Sequence, residues 1–253
     1  MRLLPRTNNS SAPSKALPRA SAFVCFGLLI VAGAFQLPAL AAPAPQNATA
    51  AQVTQSGSSS RRADFRNNAV SREARNTANW VVDSGDNLGM PFLIIDKKQA
   101  RVLVFNASGQ LEGSASVLLG LAIGDDSVPG IGQQKLSSIR PHERTTPAGR
   151  FVASLARNLK GEEILWVDYQ NAIAMHPVVT SNPKERRTER LASSNLQDKR
   201  ISYGCINVSA DFYRSFISPA FSATSGIVYV LPETRSIMIA NLPLPSYSVW
   251  FCY

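Results

Sequence analysis

Histidine and cysteine are scarce in this chain of 253 residues, which holds two of the first and three of the second. One of the three, Cys25, lies in an N-terminal leader, so a processed chain keeps Cys205, Cys252, His142 and His176. There is no C-x-x-C and no H-x-x-x-H pair, so a zinc centre at ordinary ligand spacing has little to build on. No internal repeat is present, which argues against repeat architectures. No basic stripe with interleaved aromatics and no nucleic-acid motif occurs, so nucleic acid is not an expected partner. The uninterrupted apolar run, Ala22 to Phe35, is short for a comfortable membrane span.

The N-terminus has a definite layout. Arg2, Arg6, Lys15 and Arg19 form a positive, acid-free leader ahead of that run, and Ala39-Leu40-Ala41 is a small-x-small cleavage pattern. Residues 1–41 therefore read as a secretory signal peptide, with an uncleaved signal anchor as the alternative and the membrane touched only through that leader. Cleavage would leave 22 basic against 17 acidic residues, a net charge of +5 in place of +9. Such a mild excess suits an acidic or polyanionic surface. Residues 42–78, with "QSGSSSRR" as a sample, have almost no large apolar side chains and read as a flexible tether. Residues 79–253 are then one domain, with folded sequence starting near Trp80.

Within that domain, strand signals dominate. Leu93-Ile94-Ile95 and Val102-Leu103-Val104-Phe105 are branched apolar runs separated by turn residues, and a third strand follows before residue 122. A Gly/Pro-rich connection from about Gly124 to Gly149 is long enough to suggest that it serves a site or is mobile. "RFVASL", "EILWVDY", "NAIAMH" and "GIVYVLP" supply four further strands. "SADFYRSFISP" reads as a short helix capped by Ser209 and ended by Pro219, with Phe212 and Phe216 on one face. The aromatic tail to Tyr253 is expected to pack on the domain. The predicted class is mainly β, a sandwich or barrel with one or two short helices.

Cys205, in "RISYGCINVS", admits four roles. It can bridge to Cys252, as exported proteins often do. It can join Cys252 and both histidines on zinc. It can be a buried small hydrophobe. It can be a nucleophile, provided a base assists its thiol. His176 is the better-placed base, since it ends an apolar strand and the following Pro177 favours extended backbone. His142 sits in the polar loop "RPHERTT" and is expected to be solvated. Gly204 permits a bend before the thiol and leaves successive N–H groups free to face one oxygen, as in an oxyanion hole.

These residues resemble the L,D-transpeptidase catalytic domain family. The resemblance rests on His176 followed by Ser202-Tyr203-Gly204-Cys205-Ile206-Asn207, on "TPAGRF" at 146–151, and on the opening hairpin "FLIIDKKQARVLVFN"; it covers roughly residues 90 to 232. It implies a largely β catalytic domain that performs cysteine acyl transfer on peptidoglycan stem peptides in the periplasm or cell envelope, as a monomer, without metal or cofactor. Cys205 would be the nucleophile and His176 its base, with a main-chain carbonyl beside the histidine as third member. Amides around Tyr203, Gly204 and Cys205 would receive the oxyanion, and Ser202 and Asn207 would shape the loop. A carboxypeptidase on the same fold, or a wall-binding domain with an idle site, are the alternatives. Many members have histidine where this chain has Tyr203, and a shorter His-to-Cys separation than the 29 positions from 176 to 205. The extra length forms the cationic loop 180–200. That loop is either a solvated segment or a lid in which Arg190 or Arg200 grips a stem carboxylate.

Overall fold

The computed structural model describes residues 60–236. The leader, most of the tether, Cys25, Cys252 and the tail 237–253 lie outside the described residues. Eight strands form one sheet: β1 (Phe92–Asp96), β2 (Arg101–Phe105), β3 (Leu111–Ser116), β5 (Gly149–Arg157), β6 (Glu163–Asp168), β7 (Ile173–Pro177), β9 (Ile206–Val208) and β10 (Gly226–Val230). Their order is β3-β2-β1-β10-β5-β6-β7-β9, while β4 (Leu119–Gly120) pairs separately with β8 (Arg200–Ser202). Neighbours are antiparallel except β1 with β10 and β7 with β9, which run parallel. The sheet curls until its two edges meet. Just past β3, Leu118 exchanges both backbone hydrogen bonds with Asn207 of β9, each 2.9 Å. The result is a nearly closed barrel, within the mainly β class predicted.

Both faces of the central strands are apolar, which is why they read as unbroken hydrophobic runs rather than alternating ones. Leu93, Ile95, Val102, Val104, Val228 and Val230 point into the barrel. Phe92, Ile94, Leu103, Phe105, Ile227 and Tyr229 point outward into a second core. Helix α1 (Arg72–Ser84) covers that outer core with Ala74, Ala78, Val81 and Val82. Ser71 caps it by accepting the Ala74 N–H, and Gly85 ends it in the left-handed conformation. The folded region thus starts earlier than Trp80: Asp64 bridges to Gln110 and Phe65 is buried against Phe105. The sequence hides this because the buried stripe of α1 holds only small side chains until Val81 and Val82, with Ala74, Thr77 and Ala78 before them, and so resembles the polar tether.

The segment after β9 is helical from α3 (Ala210–Phe212) through a π turn (Tyr213–Ile217) to α4 (Ser218–Phe221). Ser209 caps it, and Phe212 stacks on Phe216 at 4.9 Å. Pro219 does not end this run. It falls in the first turn of α4 after the wide π turn, where its missing N–H costs little. Phe212, Tyr213, Ile217 and Phe221 fill the barrel interior beside Met175, Ile206 and Val208.

Candidate active site

The inward side chains of β7 and β9 decide where the others go. Ile173, Met175, Ile206 and Val208 are in the barrel core. Successive strand residues alternate faces, so His176 and Asn207 project outward together. The parallel register sets His176 opposite Asn207. Cys205, two residues before Asn207 and just outside β9, has its sulfur at the start of β7, 3.7 Å from the Ala172 carbonyl. The segments of a histidine and a cysteine 29 positions apart are thereby brought together.

The imidazole is held at both nitrogens. Its Nδ1 is 2.8 Å from the Pro177 carbonyl and its Nε2 is 3.1 Å from Asn207 Nδ2. Asn207 Oδ1 accepts from Arg187 Nη1 at 2.8 Å, which fixes the amide with its NH₂ toward the ring. The carbonyl can only accept and this NH₂ only donates, so the proton sits on Nδ1 and the lone pair on Nε2. Arg187 opens helix α2 (Arg187–Ala192) in the 180–200 loop and also pairs with Glu185.

The segment preceding the nucleophile candidate is pinned by hydroxyls. Ser202 Oγ accepts the Gly204 N–H at 3.1 Å and donates to the Cys205 carbonyl at 2.6 Å. Thr146 Oγ1, from the Thr-Pro-Ala-Gly stretch, donates to the Gly204 carbonyl at 2.8 Å. Gly204 has φ +130°, and a Cβ there would stand 2.7 Å from both Ile173 Cδ1 and the Thr145 carbonyl oxygen. The expectation of successive free amides needs amending, because the Gly204 N–H is spent on Ser202. Among the described residues, the Tyr203 and Cys205 N–H groups find no acceptor. Tyr203 carries the Arg144 guanidinium over its ring at 3.9 Å.

Cys205 is a free, half-buried thiol whose sulfur lies 3.7 Å from the Ala172 carbonyl. Desolvation raises its pKa, against the Ala174 N–H and the Arg187 charge, which both favour thiolate. Desolvation lowers the pKa of His176, and the Arg187 charge adds to that, while the Pro177 carbonyl and Glu162 oppose it. Burial thus disfavours the charged form of both the thiol and the imidazole. One guanidinium acts on both.

Neither a protein-family model nor a curated protein matches this chain. Solved structures with a similar fold include the helical cell shape determining protein Pgp2 from Campylobacter jejuni, 14% identical, covering 58% of this chain and 49% of that one, TM-score 0.39. An L,D-transpeptidase from Mycobacterium tuberculosis is 16% identical over 56% of this chain and 57% of that one, TM-score 0.34. An L,D-transpeptidase from Mycobacterium smegmatis is 14% identical, covering 56% and 58%, TM-score 0.31. This chain spans only about half the length of these structures.

The cationic loop is more ordered than its composition suggests. Arg190 Nε donates to the Glu185 carbonyl at 3.0 Å, and its Nη1 to the Asp198 carbonyl at 3.3 Å. Arg200 grips a carboxylate, but the carboxylate is the protein's own Glu233. Both guanidinium groups expected to meet substrate are thus taken up internally. His142 is exposed on a 3-10 turn (Pro141–Glu143), as its polar loop predicts. Among the described residues, no cluster of His, Cys, Asp and Glu is suited to a metal.

Sequence reasoning passed over Lys97, which is buried in the β1–β2 turn. Its Nζ donates to Asp125 Oδ1 and the Thr146 carbonyl, both at 2.8 Å, and to the Gly124 carbonyl at 2.6 Å. Asp125 also accepts the N–H groups of Glu233, Thr234 and Arg235. Burial would raise its carboxyl pKa, yet these bonds hold it well below the ordinary range. This ionic knot ties both ends of the 124–149 connection to the barrel. The connection is consequently braced, and Thr146 is carried to the Gly204 carbonyl. The one sequence signal for Lys97 was its place in a run of turn residues, where a buried ammonium is not expected.

Proposed function

We propose that this chain is an exported cysteine acyltransferase acting on peptidoglycan stem peptides, an L,D-transpeptidase. The observation that supports the reading is the β7–β9 pairing, with His176 opposite Asn207 two residues after Cys205 and the Cys205 sulfur 3.7 Å from the Ala172 carbonyl at the start of β7. The ring tautomer supports it, since Nε2 keeps the lone pair a general base needs. The substrate class comes from the Ser-x-Gly-Cys-Ile-Asn block with its upstream Thr-Pro-x-Gly-x-Phe partner. The Pro177 carbonyl, 2.8 Å from Nδ1, supports reading it as the main-chain third member.

In the first half-reaction, substrate displaces the Asn207 amide from Nε2, and Nε2 removes the Cys205 proton. The sulfur attacks the carbonyl carbon of the third stem residue and a C–S bond forms. The N–H groups of Tyr203 and Cys205 receive the oxyanion. The tetrahedral species collapses, the C–N bond to the terminal D-alanine breaks, and the imidazolium protonates the departing amine. In the second half, an acceptor amine attacks the thioester and gives its proton to Nε2. The sulfur leaves, takes that proton back, and the cross-link is made. Water in place of the amine gives trimming, the carboxypeptidase outcome.

Burial disfavours both charged forms, which supports proton transfer within the attack step. Incubation of purified protein with disaccharide-tetrapeptide muropeptides tests the proposal. Cross-linked or trimmed products are expected from the native chain and none from Cys205→Ala. Equal product from both proteins would end the proposal.

A further inference from the structure

Beside Cys205 the barrel carries a feature that acyl transfer does not use. A cleft of about 830 Å³ opens between the loop around Pro129–Gln133 and the β6–β7 turn. Small-ligand clefts span about 300–1,000 Å³. Ala172 lines it, and the carbonyl of that residue is the one facing Cys205 Sγ, so cleft and thiol share a wall. Gly132 lets the loop close on the turn, since a side chain there would collide with the Gln170 carbonyl.

The lining is aromatic, amide-bearing and uncharged. Trp166 and Tyr169 meet edge to face with ring centroids 5.3 Å apart. Tyr169 is 75% exposed, and Leu159, at the tip of the β5–β6 hairpin, is fully so. Large apolar groups displayed together in water mark an interaction surface. Gln133, Gln170 and Asn171 add neutral donors and acceptors. No lining residue bears a charge, in a chain whose net charge is +9.

That chemistry selects among the parts of the wall. A stem peptide presents carboxylates and amines, and neither would meet a counter-charge here. A neutral N-acetylated sugar needs none. The C–H-bearing face of its ring can lie on the negative face of an aromatic, and its hydroxyl and acetamido groups can bond to side-chain amides. We infer that this cleft binds a neutral saccharide, the glycan strand to which the stem peptide is attached, and so seats the stem beside Cys205. The identity of the glycan rests on the acyl-transfer reading; the preference for a neutral sugar rests on the cleft alone.

Calorimetric titration of the full chain with chitotetraose, a neutral N-acetylglucosamine oligomer, and separately with free stem tetrapeptide tests this. Saturable chitotetraose binding is expected, with movement of the Trp166 indole N–H resonance. Tyr169→Ala should weaken that binding about fivefold, the worth of one aromatic contact. Leu159→Ser is a second variant at a fully exposed site and should weaken it in the same direction. Absence of saturable binding, binding unaffected by both variants, or a Trp166 resonance moved by tetrapeptide and not by sugar would overturn the inference. The titration reads binding without turnover. Sugar binding by a chain that never forms thioester would sink the acyl-transfer reading alone, and thioester without sugar binding would sink this inference alone.

Discussion

Replacing Gly204 with alanine probes the segment that presents the thiol. At φ +130° a side chain is strained by about 1–3 kcal/mol wherever it sits. A Cβ here would also stand 2.7 Å from the Thr145 carbonyl oxygen, a backbone atom next to the residue that Lys97 holds. Overpacking of that kind adds about 1–3 kcal/mol. Together they come to about 4 kcal/mol, or a fall in Tm of about 8–16 °C for a domain of this size. Gly130→Ala is the control. It too has positive φ, +76°, but nothing lies within 4 Å of its Cβ, so only the conformational cost of about 1 kcal/mol applies. Circular dichroism melts of both variants, with iodoacetamide labelling of Cys205 at neutral pH, form the assay. Gly204→Ala should melt well below Gly130→Ala and label at an altered rate. Equal melting temperatures and unchanged labelling would refute the account of how this glycine positions the sulfur.

Three other perturbations follow from the same contacts. Arg187→Leu removes a cation that disfavours the imidazolium, so the His176 pKa should rise and the acid limb of kcat/KM should move to higher pH. The native limb should lie below the ordinary histidine value of about 6.5. Loss of one charge-assisted hydrogen bond, about 1.5 kcal/mol, should cost about tenfold at the optimum, and an unmoved limb in a pH–rate profile would contradict the role of Arg187. Asp125→Asn leaves Lys97 with Glu233 at 3.4 Å as its remaining carboxylate and should cost about 3 kcal/mol in a urea titration at neutral pH. The folded Asp125 pKa is depressed, so its contribution is present above the unfolded value of about 3.9 and fades as pH falls further. The gap between native and variant should therefore narrow at pH 2.5; a constant gap would count against ionic bonding. Arg144→Ala removes the cation over Tyr203 and two bonds to the Ile139 carbonyl. Hydrogen exchange at Gly204, whose N–H is held by Ser202 Oγ, should speed up while the melting temperature changes little; unchanged exchange would show that this contact does not brace the segment.

Local structure was largely legible because it depends on near neighbours. The runs around Leu93, Val102, Phe151, Leu165, Met175 and Val228 all became strands, since branched apolar residues bounded by turn chemistry have few other uses. The Ser209 cap and the Phe212–Phe216 pair also lie where their spacing puts them. Helix α1 was lost among alanine and polar residues, although Ser71 and Gly85 are ordinary cap signals. Helix α2 was lost in the charge density of the 180–200 loop. The three parallel pairings, β1 with β10, β7 with β9 and β4 with β8, are long-range, and no local pattern encodes them. His176 and Cys205 could be nominated from residue type and motif, but bringing their segments together depends on β7 meeting β9. Arg187 could not be told from its five cationic neighbours, because only tertiary structure delivers one of them to Asn207. Arg200 was chosen for its fork geometry, and that geometry is what Glu233 uses.

The most direct test of the central claim is a double-mutant cycle on muropeptide consumption, a rate that every variant can show, comparing His176→Ala, Cys205→Ala and the double variant. If imidazole and sulfur work as one unit, each single change should reduce the rate about as far as both together. A His176→Ala protein that consumes muropeptide at the native rate, or losses that simply multiply, would contradict it.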